Sequence, residues 1–135
     1  SGETAKASAL VDDVLSREPD NLRARDLKGM LLVQARDMEA AQRQYESITR
    51  QRPDLVTGYM KLASVYEAAG DFDHALAELA RAESRAPDNP LLLAQKGGLL
   101  LRKKDYRGAR AVADELVRLL PDKGSGYYLK AVTFL

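Results

Sequence analysis

A chain of 135 residues, 45% of them apolar, is the size of one ordinary domain and has the material to fill a core. Its 21 basic and 20 acidic residues leave a formal charge of +1, which excludes a broad electrostatic field for nucleic acid or an anionic membrane. With no cysteine there is neither a disulfide framework nor a thiolate metal site, an absence that fits bacterial cytoplasm and periplasm or envelope equally and leaves localisation open.

The first residues, "SGETAKAS", carry no signal-peptide core and no initiator methionine, and the expectation is a segment of a longer chain. The first predicted helix, 4–17, ends at "EPDN". Pro19 has no backbone donor and pushes the residue before it out of the helical region. The Asp after the proline, or an Asn after that, is placed to cap the next helix, 22–35. A lesser break at "ARDMEAA" puts Asp37 at the start of a helix over 38–51, and "RPDL" at Pro53 separates it from 56–69. "AGDFDHA" then opens 72–85 with Asp71. "RAPDNP" is a doubled signal, with Asn89 as N-cap and Pro90 as the first residue of 90–103. "KKDYRGA" opens 106–119 with Asp105, and "LPDK" at Pro121 leads into 124–135. Among the lesser breaks only Gly70 easily takes the left-handed helix-ending conformation; Arg36 and Lys104 stand in its place elsewhere and make those turns less comfortable. The longest apolar run, "LLLAQKGGLLL", contains Lys96 and is too short to span a bilayer, so direct membrane insertion of this segment is not expected.

Pro19, Pro53, Pro87 and Pro121 stand 34 residues apart, and so do Asp37, Asp71 and Asp105. A strict period in this range signals stacked helical units. The apolar residues keep helical spacing and strand-like alternation is absent, so the expected fold class is all-α, an α-α superhelix of antiparallel helix pairs.

This pattern resembles the tetratricopeptide repeat (TPR). Residues 56–89 meet each position of the family's motif, with Tyr59, Leu62, Ala63, Tyr66, Ala75, Leu79, Ala82 and Pro87. Unit 22–55 supplies Gly29, Leu32, Ala41, Tyr45 and Pro53 but has Arg25 at the fourth position, and unit 90–123 supplies Leu93, Gly97, Leu100, Ala109 and Pro121. Residues 1–21 resemble the second helix of a preceding repeat (Ala7, Val11, Val14, Pro19), and 124–135 the first helix of a following one (Tyr127, Ala131, Phe134). The resemblance makes 1–135 a single TPR domain fragment, a right-handed solenoid. Gly29, Ala63, Gly97 and Ala131 are the expected close-approach positions of the first helices. Lys28, Lys96 and Lys130 occupy the seventh position, where the family has Leu. Their stems are expected to cover apolar surface, with a row of cations beside the groove as the sharper alternative. "LKG" and "YLKA" are also similar to long TPR lipoproteins of PEP-CTERM/exosortase export systems.

No enzymatic constellation is found. His74 is the lone histidine and reads as a solvated surface residue, and no metal or cofactor is expected. Asp12 and Asp13, and Asp71 and Asp73, read as capping or solubilising carboxylates. Gly97 and Gly98 lack the setting of a phosphate loop and are read as helix contacts. "RKKDYRGAR" gathers five cations around Tyr106, but that tyrosine falls where the family packs an aromatic, and no nucleic-acid partner is expected.

What remains is a concave surface lined by the first helix of each unit. By the resemblance, the partner-binding groove comprises Leu27, Met30, Gln34, Met60, Lys61, Ser64, Glu67, Leu91, Gln95, Leu101 and Tyr128. Asp26, Met30, Lys61, Leu91 and Gln95 replace the cations and amides with which some members clamp a chaperone's C-terminal carboxylate, so that ligand is not expected. The groove is apolar and methionine-bearing, which suits an amphipathic helix or an extended apolar peptide, although neighbouring repeats of a longer chain could fill the same surface. The expected function is a bacterial protein-protein interaction scaffold, the alternatives being a segment of an envelope lipoprotein in exopolysaccharide or protein export, or a regulatory TPR domain fused to an enzyme or sensor. An apolar face on 124–135 is expected to drive self-association through the C-terminal helix.

Overall fold

The computed structural model describes all 135 residues and contains eight helices and no strand. They are α1 (Gly2–Arg17), α2 (Leu22–Gln34), α3 (Met38–Gln51), α4 (Val56–Ala68), α5 (Phe72–Glu83), α6 (Pro90–Arg102), α7 (Tyr106–Leu119) and α8 (Gly124–Val132). Each packs on its neighbour in sequence, and α6 also touches α4 and α8, so that α2, α4, α6 and α8 form the inner row of an open stack.

Local chemistry explains the breaks. Asp37, Asp71 and Asp105 each accept the backbone N–H three residues on and cap α3, α5 and α7. At the proline breaks the cap falls one residue later than the Asp. Asn21 and Asn89 cap α2 and α6, Pro90 opens α6, and Leu55 and Lys123 occupy the same place without any side-chain hydrogen bond. Asp54, just before Leu55, instead accepts from the Arg52 guanidinium through both its oxygens, at 2.9 and 2.7 Å. That hydrogen bond keeps the Asp54 carboxyl below its ordinary value. Arg36 and Lys104 adopt φ of 64° and 65° where Gly70 has 80°, so two non-glycine residues carry a left-handed conformation.

The core is segmented, as a stack requires. Ala41, Tyr45 and Ile48 of α3 meet Leu62 and Val65 of α4. Tyr59, Ala63, Ala75, Leu79 and Ala82 of α4 and α5 meet Leu92 and Leu99 of α6, and Leu93, Leu100, Ala109, Val112, Ala113 and Leu116 of α6 and α7 meet Leu129 of α8. Each cluster borrows from the next unit, so stability is passed from neighbour to neighbour. Ala41, Ala75 and Ala109 are wholly buried and leave no room for a longer side chain.

Three packing expectations are corrected. Gly97 is a close contact, since a Cβ there would lie 2.4 Å from Leu129, but Gly98 faces open space. Ala131 is exposed, and Tyr106 is 47% exposed instead of packed. The last helix stops at Val132, three residues earlier than its periodicity suggests. There the Phe134 N–H turns back to the Ala131 carbonyl, and Arg110 donates to the Thr133 hydroxyl and carbonyl, both at 2.9 Å.

Candidate functional site

The inner helices are laced together by bonds that span 35 residues, one more than the repeat. Lys61 of α4 donates to Asp26 of α2 at 2.5 Å. Gln95 of α6 donates to the Met60 carbonyl at 2.8 Å and to the Ser64 hydroxyl at 3.0 Å. Arg102 donates to Glu67 at 2.8 Å. All but the Gln95–Ser64 bond join a position of one inner helix to the following position of the next, so the inner surface satisfies part of its own polar capacity.

Between α2 and α4 the lacing leaves an opening. Met30, Val33, Gln34, Tyr45, Lys61, Ser64 and Val65 surround a pocket of about 400 Å³, lined mainly by apolar groups. Its floor is Tyr45, reaching in from α3 over Gly29, where a Cβ would stand 2.6 Å from the ring. The tyrosine hydroxyl donates to the Asp26 carboxylate at 2.9 Å. Burial, first, and then the bond to Asp26 push the Tyr45 pKa far above its ordinary value, which keeps the phenol protonated and the floor uncharged. Asp26 is thereby clasped by Tyr45 from below and Lys61 from the side.

The expected groove residues do not form one continuous set. Met30, Gln34, Lys61 and Ser64 do come together around the pocket. Met60 and Gln95 share with Thr57, Lys61 and Ser64 a smaller hollow of about 240 Å³ between α4 and α6, narrowed by the Gln95 bonds. Leu27, Leu91 and Tyr128 lie outside both, at 42%, 75% and 73% exposure. Glu67 is tied to Arg102, and Met60 and Leu101 pack against core clusters, so Met30, at 48% exposure, is the freer methionine. Tyr45 and Val65 are not among the expected site residues. Tyr45 was legible only as a packing position, although a large ring opposite Gly29 signals that its hydroxyl must reach past the inner helix.

Elsewhere several surface charges are paired. Lys28, Lys96 and Lys130 pair with Asp12, Glu83 and Asp114 on the preceding outer helices at 2.7–2.8 Å, which removes the row of free cations along the groove. Three of the five cations around Tyr106 are also engaged. Arg102 goes to Glu67, Lys103 to Asp73 and Arg110 to Thr133, with its guanidinium 4.0 Å over Phe134. His74 bonds Asp71 at 2.6 Å and stacks on Tyr66 at 5.3 Å on the exposed surface. No group of three or more metal-ligating side chains is assembled, and no helix is long and apolar enough to cross a membrane.

A family model described as "Tetratricopeptide repeat" matches residues 27–90 and 60–124. No curated protein matches the sequence. Among solved structures, a MamA RS-1 double mutant is 20% identical, with 87% of this chain and 66% of that one covered at a TM-score of 0.75. A tetratricopeptide repeat protein of Parabacteroides merdae is 18% identical over 98% of this chain and 53% of that one, at 0.85. A thermophilic repeat protein of Thermus thermophilus is 20% identical over 98% and 74%, at 0.74. The chain thus spans between half and two thirds of the first two, and at these identities the likeness is one of fold.

Proposed function

The chain belongs to the tetratricopeptide repeat family, an all-α superhelical fold, and from that premise we propose that it is a non-catalytic module holding one segment of a partner protein on its concave face. A large apolar side chain of that segment sits between α2 and α4. The unit division that goes with this reading is 22–55, 56–89 and 90–123, flanked by the half-units 1–21 and 124–135.

The observation that carries the proposal is the pocket over Tyr45, about 400 Å³ between Met30, Val33 and Val65. A volume of that size takes a bulky side chain, and Met30 adapts to its outline. The rim supplies Gln34, Lys61 and Ser64 for backbone groups of an amphipathic helix or extended strand. An acidic tail is disfavoured, because Lys61 would have to leave Asp26 and Arg102 would have to leave Glu67. The same module would serve inside a longer enzyme or sensor. The narrower export-lipoprotein resemblance finds no support among the matched structures.

Selection of displayed random peptides against the 135-residue chain tests the reading. Selected peptides share one large apolar anchor and lose about tenfold or more in affinity for Met30→Glu. Thermal unfolding of that variant is unchanged, since Met30 is half-exposed. Peptides that bind Met30→Glu as tightly as the parent overturn the assignment.

A further inference from the structure

The chain has no cysteine and three methionines, so thioethers are the only sulfur it offers to an oxidant. Two of them are sheltered. Met38 and Met60 are partly buried, the first packed against the core cluster of α3 and α4, the second against that of α4, α5 and α6. Met30 is 48% exposed and lines the opening between α2 and α4.

We propose that Met30 is a site of reversible oxidation that turns this opening from one that accepts an apolar anchor into one that rejects it; the proposal rests on the opening being the binding site. The oxidant is a peroxide. The Met30 Sδ lone pair attacks one peroxide oxygen, the O–O bond breaks, and the proton on the transferred oxygen leaves with the departing hydroxide as water. Sulfur gives up two electrons and the peroxide is reduced, so one sulfoxide and one water result. A thiol-dependent sulfoxide reductase restores the thioether, with two thiols oxidised to a disulfide and the oxygen lost as water.

The lining is poorly equipped to receive that oxygen. Lys61 is held against Asp26, the Tyr45 hydroxyl donates to Asp26, and the Ser64 hydroxyl donates to the Met60 carbonyl at 3.1 Å. Gln34 remains, one turn further along α2, and if it turns to the sulfoxide it is withdrawn from the partner's backbone. The oxygen therefore keeps its water, and an apolar side chain entering beside it strips that water without replacing the hydrogen bonds.

The test uses the 135-residue chain and a selected peptide free of Met, Cys and Trp. Trypsin puts the three methionines on separate fragments, 29–36, 37–43 and 51–61. In dilute hydrogen peroxide, mass spectrometry shows one oxygen gained on 29–36 before the other two. At that stage peptide affinity is down about tenfold or more, the melting temperature is unchanged, and sulfoxide reductases acting on both epimers restore binding. Met30→Leu binds like the parent and keeps its affinity through the same treatment. Full affinity with Met30 oxidised overturns the inference, as does an equal loss in Met30→Leu or earlier oxidation of Met38 or Met60. Failure of the groove reading looks different: untreated Met30→Glu then binds the peptide as tightly as the parent, before any oxidant is added.

Discussion

Gly29 lies so close beneath Tyr45 that a Cβ built on the glycine would stand 2.6 Å from the tyrosine ring. The ring has no freedom to retreat, because its hydroxyl is bonded to Asp26. Gly29→Ala is therefore expected to destabilise the chain by about 1–3 kcal/mol despite the better helix propensity of alanine. Gly98→Ala, facing open space in α6, gains that propensity without the clash and is expected to stabilise by roughly 0.5–1 kcal/mol. Urea unfolding of the two variants checks the opposite signs.

The glycine pair shows where sequence reading reaches its limit. The period of 34 located all eight helices, because prolines and aspartates act on their immediate neighbours and need no tertiary information. Gly97 and Gly98 are adjacent and chemically identical, and only the packing of α8 separates the contact from the gap. The pocket lining was legible to the same degree. Met30, Gln34, Lys61 and Ser64 follow from repeat position, whereas the matched charges and the Tyr45 floor depend on which side chains meet across units. A repeat pattern describes one unit against an average neighbour, and these features belong to particular neighbours.

Capping offers a comparison within one molecule. Leu55 and Lys123 stand at the N-caps of α4 and α8 where Asn21 and Asn89 serve α2 and α6. Leu55→Asn and Lys123→Asn are each expected to raise stability by about 1 kcal/mol, and Asn21→Ala and Asn89→Ala to lower it by a similar amount. Thermal unfolding of the four variants reads the difference.

The left-handed residues give a second such comparison. Arg36→Gly and Lys104→Gly relieve a conformation that costs a side-chain-bearing residue about 1 kcal/mol, and each is expected to raise the melting temperature. Gly70→Ala, at φ 80°, is expected to lower it. Equal shifts in one direction for all three would contradict the conformational explanation.

Tyr45 and Tyr66 both hold their protons more tightly when folded, each mainly through burial, Tyr45 then through Asp26 and Tyr66 through Glu46. Above the ordinary tyrosine pKa of about 10, the folded state therefore binds more protons than the unfolded state. Their contribution is complete below that pH and is lost as the pH rises through the raised folded values. Stability is expected to fall with alkaline pH, and Tyr45→Phe to flatten that slope. Denaturant unfolding across the alkaline range measures both.

The central claim is that the concave opening between α2 and α4 is the binding site, and amide chemical-shift mapping of the 14.9 kDa chain with a selected peptide addresses it most directly. The account predicts perturbations concentrated at Met30, Val33, Ser64 and Val65, weaker ones at Thr57 and Gln95, and none on the outer faces of α5 and α7. Perturbations confined to those outer faces, with Met30 and Val65 unmoved at saturation, would contradict it.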